Sequence, residues 1–117
     1  MTDRIRDFLR TRREDGPILV VDKAIVRDNY MSFARALPDT RVFYAVKANP
    51  DAQILEMLTQ LGSCFDCASV GEIEMVLAAG ATADRISFGN TIKKERDIAK
   101  AFEKGISLFA VDCEAEV

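Results

Sequence analysis

The sequence predicts an α/β fold of parallel strands, the first half of a (β/α)8 TIM-type barrel, on three observations. Apolar strand-like runs start at Val42, Cys64, Ile86 and Leu108, so each start follows the last by 22 residues. Between them lie helical patterns with an apolar stripe: Ile54, Leu55, Leu58 and Leu61, then Ile73, Val76 and Leu77, then Ile98, Ala101 and Phe102. Each pattern stops at a glycine, Gly62, Gly80 or Gly105, the residue that ends a helix most readily. Short buried strands alternating with such helices imply right-handed βαβ units. A doubly wound sheet satisfies the same pattern, but the near-constant module length favours the barrel. A complete barrel needs about 250 residues. The four modules, the last ending soon after its strand at Glu116-Val117, amount to half of one, so the open sheet is expected to leave two edges and much apolar surface unpaired.

Taken in order, Thr2 caps a first helix with Ile5, Phe8 and Leu9 on one face and Arg10, Arg12 and Arg13 near its carboxyl end. Gly16-Pro17 stops it. Ile18 to Val21 reads as a four-residue apolar strand. Asp22 then starts a second helix, with Ile25, Val26, Tyr30, Phe33 and Leu37 on one stripe and Pro38 at its end. Val42 to Val46 is β-branched and aromatic and reads as a buried strand that stops at Lys47. Asn49-Pro50 breaks the strand and Asp51 caps the next helix. No linker, low-complexity run or second domain interrupts residues 1–117.

Composition narrows the function classes. The chain is 49% hydrophobic and 30% charged, ordinary for a soluble domain, and its 16 basic and 19 acidic residues leave a net charge of -3. That balance argues against a nucleic-acid surface or a polybasic membrane anchor. The amino terminus is charged, with Asp3 and Asp7, and lacks the apolar core of a signal peptide, so a cytoplasmic location is expected. With no histidine, the chain supplies no imidazole base, no Ser-His or Cys-His pair and no ordinary catalytic zinc site. Cys64-Phe65-Asp66-Cys67 is formally a CxxC, but neither a helix amino terminus nor a second pair accompanies it. Small buried thiols are the expected reading, and three cysteines, an odd count, suit a reducing compartment.

In parallel α/β folds functional groups gather at the carboxyl ends of the strands. By that rule the candidates are Lys47, Asp66, Ser69, Glu72, Asn90 and Asp112. Lys47 either escapes to solvent as an ordinary boundary lysine or is presented in a cleft. Ser69-Val70-Gly71-Glu72 fits a capping box as well as it fits chemistry. Asp66, between Phe65 and Cys67 in a buried strand, needs a positive or hydrogen-bonding partner, and Lys47 on the neighbouring strand is the expected one. Lys93 and Lys94, with Glu95 beside them, are expected on a solvated helix face.

These residues also carry a family resemblance. FYAVKANP at Phe43 to Pro50, FDCAS at Phe65 to Ser69 and Glu72 three residues further resemble the fold type III pyridoxal-phosphate decarboxylases. The likeness is nearest to bacterial ornithine or lysine decarboxylases of the eukaryotic ornithine decarboxylase type, and it runs on through RISFGNTIKKE and LFAVD. It implies that Lys47 is catalytic and forms the Schiff base with pyridoxal 5'-phosphate. It further implies that Asp66 lies close to the cofactor, that Glu72 supports the site, and that the small side chain of Ala45 lets the ring approach. The implied reaction is decarboxylation of a basic amino acid, ornithine to putrescine or lysine to cadaverine, in polyamine biosynthesis. A Schiff base needs an amine that can shed its proton, which a desolvating cleft promotes.

The resemblance places the remaining machinery beyond Val117: the glycine-rich phosphate loop, the stacking histidine, the pyridinium glutamate, the substrate-handling cysteine and aspartate, and most of a β-rich domain. It also implies a homodimer with active sites at the interface. The chain is accordingly expected to be the amino-terminal part of the barrel domain, inactive alone. Two further readings stay open: a non-catalytic partner-binding protein of the same fold, like the antizyme inhibitors, and a diaminopimelate decarboxylase or small pyridoxal-phosphate carrier. FDCAS disfavours the diaminopimelate branch, and the presence of Lys47 disfavours loss of the cofactor.

Overall fold

A computed structural model describes all residues, Met1–Val117. Five helices, α1 (Asp3–Thr11), α2 (Lys23–Ala36), α3 (Ala52–Gln60), α4 (Val70–Ala78) and α5 (Glu95–Glu103), accompany four strands, β1 (Phe43–Ala45), β2 (Cys64–Cys67), β3 (Ile86–Phe88) and β4 (Leu108–Phe109). All three strand pairs are parallel and the spatial order is β1-β2-β3-β4. A strictly sequential order with right-handed crossovers winds in one direction only, which puts the crossover helices on one side. A doubly wound sheet reverses direction at a switch point, and none occurs here. The barrel-type reading therefore holds, and β1 and β4 stand as open edges.

The two faces of the sheet differ in chemistry. Phe65 and Cys67 of β2 and Ile86 and Phe88 of β3 join Ile54, Leu55 and Leu58 of α3, Ile73 and Val76 of α4 and Ala101 of α5 in one buried core, with Tyr44 and Phe109 packed against it. Side chains alternate along a strand, so the residues between these belong to the other face. Phe43, Ala45, Cys64, Asp66, Ser87 and Leu108 make up that set, and a carboxylate and a hydroxyl are among them. The apolar stripes read from the sequence thus face the sheet, and the polar residues fall where a closed barrel would have its interior.

Caps and stops agree with the residue signals. Thr2, Asp22, Asp51 and Ser69 each accept a backbone N–H at the start of α1, α2, α3 and α4. The glycines closing α3, α4 and α5 have φ of +90°, +90° and +87°, backbone that a side chain would strain. One expectation fails. Ile18 to Val21 forms no strand, and Leu19 is 87% exposed. Four apolar residues make a strand only beside a partner edge, and no strand lies against this segment. It is tethered instead at Asp22, which accepts from Thr2 Oγ1 and pairs with Arg4, both at 3.2 Å. No helix is long and apolar enough to cross a membrane.

Candidate functional site

β1 ends at Ala45, and a single turn of 3-10 helix, Val46–Ala48, carries the chain off the sheet. Val46 is fully buried in the core while Lys47, the next residue, is exposed. The Lys47 ammonium makes neither a salt bridge nor a hydrogen bond. The turn around it is held from both sides. Tyr44 Oη donates to Asn49 O at 3.1 Å, Asn49 Oδ1 accepts from Asp51 N at 3.0 Å, and Asp51 Oδ1 accepts from Gln53 N at 2.9 Å to cap α3. Burial pushes the Tyr44 phenol above its ordinary value, against the opposing pull of its hydrogen bond to Asn49.

Across the ladder, Ala45 is the register partner of Asp66, and Asp66 is the register partner of Ser87. Asp66 is half-buried and its carboxylate is satisfied from β3, not from β1: Ser87 Oγ donates to Oδ1 at 2.8 Å. The expected Lys47–Asp66 ion pair does not form. Ser87 is buried and opposite, whereas Lys47 sits past the strand end on the turn, where its long side chain stays in solvent. The cleft that would desolvate Lys47 is likewise not made by these residues. The larger clefts lie elsewhere. One of about 300 Å3, lined by Leu19, Val21, Lys23, Asp51, Gln53 and Ile54, reaches the site only through Asn49. Another, of about 320 Å3, lies between α2 and the outer side of β1.

Ser69 and Glu72 act at the start of α4. Ser69 Oγ accepts from Glu72 N at 3.2 Å, and Glu72 Oε2 accepts from Ala68 N at 2.6 Å. The carboxylate thereby satisfies a backbone donor ahead of the helix and fixes the turn that leaves β2. Cys67 lies buried beneath it; burial first, then Glu72 and Asp66, push its thiol up to about 12. Cys64 is buried as well, while Cys113 is exposed. The buried pair therefore behaves as small apolar packing, as the residues suggested.

The loops after β3 and β4 overturn the expectation for Lys93. Its side chain is 1% exposed, and its Nζ donates to Asn90 O at 2.9 Å, Thr91 O at 3.2 Å and Ala110 O at 2.6 Å while lying 2.9 Å from Glu116 Oε2. α5 starts only at Glu95, so Lys93 is a loop residue and not part of a helix face. Three carbonyls and a carboxylate compensate the buried ammonium. Lys94 does stay exposed, as do Asn90 and Asp112. The carbonyls of Asn90 and Thr91 are local, but Ala110 O, just past β4, and Glu116 complete the cage, and neither can be read from the residues around Lys93.

An unpaired primary amine, exposed on the turn that follows β1, can condense with an aldehyde placed there. The donor set fits the aldehyde end of pyridoxal phosphate. Lys47 offers the amine, Ala45 leaves room beside it, and Asp66 Oδ2 has no hydrogen-bond partner in the chain. The family model described as pyridoxal-dependent decarboxylase, pyridoxal binding domain, matches residues 23–117. The chloroplastic ornithine decarboxylase of Nicotiana glauca is 42% identical over 98% of this chain and 28% of its own length. The crystal structure of lysine decarboxylase from Selenomonas ruminantium superposes with a TM-score of 0.85 at 34% identity, covering 100% of this chain and 31% of that one. The lysine/ornithine decarboxylase of Vibrio vulnificus, solved in complex with putrescine, superposes at 0.84 with 31% identity over 96% of this chain and 30% of that one. The chain thus spans less than a third of these relatives' length.

Proposed function

Because the chain belongs to the pyridoxal-dependent decarboxylases, matching their pyridoxal binding domain over residues 23–117, we propose that it supplies the cofactor lysine of a basic amino-acid decarboxylase acting on ornithine or lysine. The observation that carries this is the Lys47 amine, free of any partner at the carboxyl end of β1, with Asp66 across the ladder from Ala45. The likeness to enzymes named for ornithine and lysine supports the substrate class.

Within this reading the chain's own residues divide the work. Lys47 would hold pyridoxal phosphate through its Nζ. The Val46–Ala48 turn, tied down by Tyr44 and Asn49, aims that nitrogen away from the core. Asp66 places its carboxylate across the ladder from Ala45, with one oxygen anchored by Ser87. Glu72 holds the β2–α4 turn against the site's edge. The chemistry supplied by the bound cofactor is that of an electron sink for the charge left when carbon dioxide departs.

The four parallel strands form the first part of a barrel whose closure, phosphate anchor and second domain come from further chain, and the working unit is a homodimer in the cytoplasm. The open edges of β1 and β4 support closure by further strands. The exposed position of Lys47 supports it too, since a site that excludes water needs walls these residues do not make. Borohydride reduction of the intact, cofactor-loaded protein followed by peptide mapping tests the assignment. The pyridoxyl group is expected on Lys47, and a label on another lysine would overturn it.

A further inference from the structure

β3 contributes nothing to the reading above beyond one hydrogen bond, yet two of its neighbouring residues control where the Asp66 carboxylate sits. A free aspartate samples three χ1 wells and a broad χ2. Here Oδ1 has a single hydrogen-bond partner, Ser87 Oγ at 2.8 Å, and Oδ2 has none. Ser87 is the cross-strand register partner of Asp66 and is buried, so its hydroxyl has little access to water. The only other acceptor in reach is Phe65 O, at 3.4 Å. A hydroxyl donating to an ionised carboxylate is the stronger, charge-assisted bond, so the proton goes to Asp66.

Gly89 acts by what it lacks. A Cβ at this position would lie 1.8 Å from Asp66 Oδ1, 2.6 Å from Cγ and 2.8 Å from Oδ2, inside any real contact distance. Its backbone cannot draw back, because Gly89 N donates to Cys67 O at 2.9 Å and continues the ladder. Its φ is not in the left-handed region, so the bare Cα is required by the space the carboxylate occupies and not by the turn. Any side chain at 89 would therefore swing the carboxylate off Ser87.

We propose that Ser87 and Gly89 are positioning residues for Asp66: the hydroxyl fixes Oδ1, the missing side chain leaves the carboxylate its place, and Oδ2 is thereby kept free for the ligand on the open face. The inference rests on the reading that Lys47 and Asp66 flank the cofactor, and it predicts that the charge felt there depends on β3 as much as on Asp66 itself. A role in strand packing alone would make no such demand on the hydroxyl.

The test compares S87T with S87V, which have the same shape and differ only in the hydroxyl, alongside G89A and D66N, all in the intact protein loaded with pyridoxal phosphate. The readout is the pH midpoint of the visible absorbance of the bound cofactor, which is independent of turnover. D66N should move the midpoint. S87V and G89A should move it in the same direction by about half a pH unit or more, while S87T stays within about 0.2 unit of the parent. Equal midpoints for S87T and S87V, or a G89A protein titrating like the parent, would overturn the proposal. If D66N titrates like the parent while borohydride still labels Lys47, Asp66 plays no part and the proposal falls although Lys47 keeps its role. Labelling elsewhere brings down both.

Discussion

Ala45 and Asp66 stand opposite one another in the β1–β2 ladder, and Lys47 follows Ala45 by two residues. The smallest side chain of β1 therefore faces the one carboxylate of β2 across the ladder. That relationship needs the register: a slip of one residue would turn Asp66 into the apolar core and bring Phe65 or Cys67 to the polar face.

Replacing Asp66 with Asn keeps an acceptor for Ser87 and removes the charge. Turnover of the intact enzyme should fall about 100-fold, at the low end of what a positioned ionisable group contributes. The pH profile of kcat/KM should change shape, while the thermal midpoint stays within a few degrees (~1 kcal/mol). A profile superimposable on the parent's would reduce Asp66 to a structural residue.

Cys67 and Cys113 should differ sharply toward thiol reagents. Cys113 is exposed, whereas the Cys67 thiol is buried and pushed up to about 12 from 9.0, so near neutral pH it is both shielded and protonated. Mass mapping after brief alkylation of the native protein should find Cys113 modified and Cys67 intact. The sign for stability follows from the raised value. Between the two pH values the unfolded chain has lost a proton that the folded chain keeps, so the cost is absent at neutrality and grows as pH rises from 9 toward 12. The alkaline loss of thermal stability should be smaller in Cys67→Ala than in the parent.

Lys93→Met should destabilise the protein by about 2–3 kcal/mol, because three carbonyls lose their donor in a buried loop. The Lys93 hydrogen bond holds the Glu116 carboxyl below the usual carboxylate range. That stabilisation is fully present above the ordinary carboxylate value and disappears as pH falls through the lower folded one. Thermal melts across the acid limb should show this dependence in the parent and a weaker one in the variant.

The 117-residue chain produced by itself should self-associate and release no carbon dioxide from ornithine or lysine. Both sheet edges are open, and Phe33, Phe102, Leu108 and Ile92 are exposed. Sedimentation over a range of concentrations should show mass rising with loading, and a compact monomer with activity toward either amino acid would refute this.

Much of the architecture is legible in the residues because it depends on local periodicity. The 22-residue spacing of apolar runs, the stripes of α3, α4 and α5, the caps at Thr2, Asp22, Asp51 and Ser69 and the glycine stops all occupy the positions their chemistry demands. The motif around Lys47 is likewise contiguous, so the strand end and the lysine beyond it can be read together. Ile18 to Val21 shows where such reading fails, since an apolar run becomes a strand only if another edge lies beside it.

The residues alone determined a parallel α/β chain with a lysine presented at a strand end. The partners of its charged groups were decided by the tertiary structure. Asp66 is bound by a serine 21 positions away, not by the lysine on the neighbouring element, and Gly89 owes its identity to that same carboxylate. Lys93 is buried while Lys94 is not, because Ala110 and Glu116 arrive from β4 and beyond to enclose it. Helix and strand formation are set by neighbours a few bonds apart, whereas desolvation and hydrogen-bond pairing are set by whatever folding brings within about 3 Å.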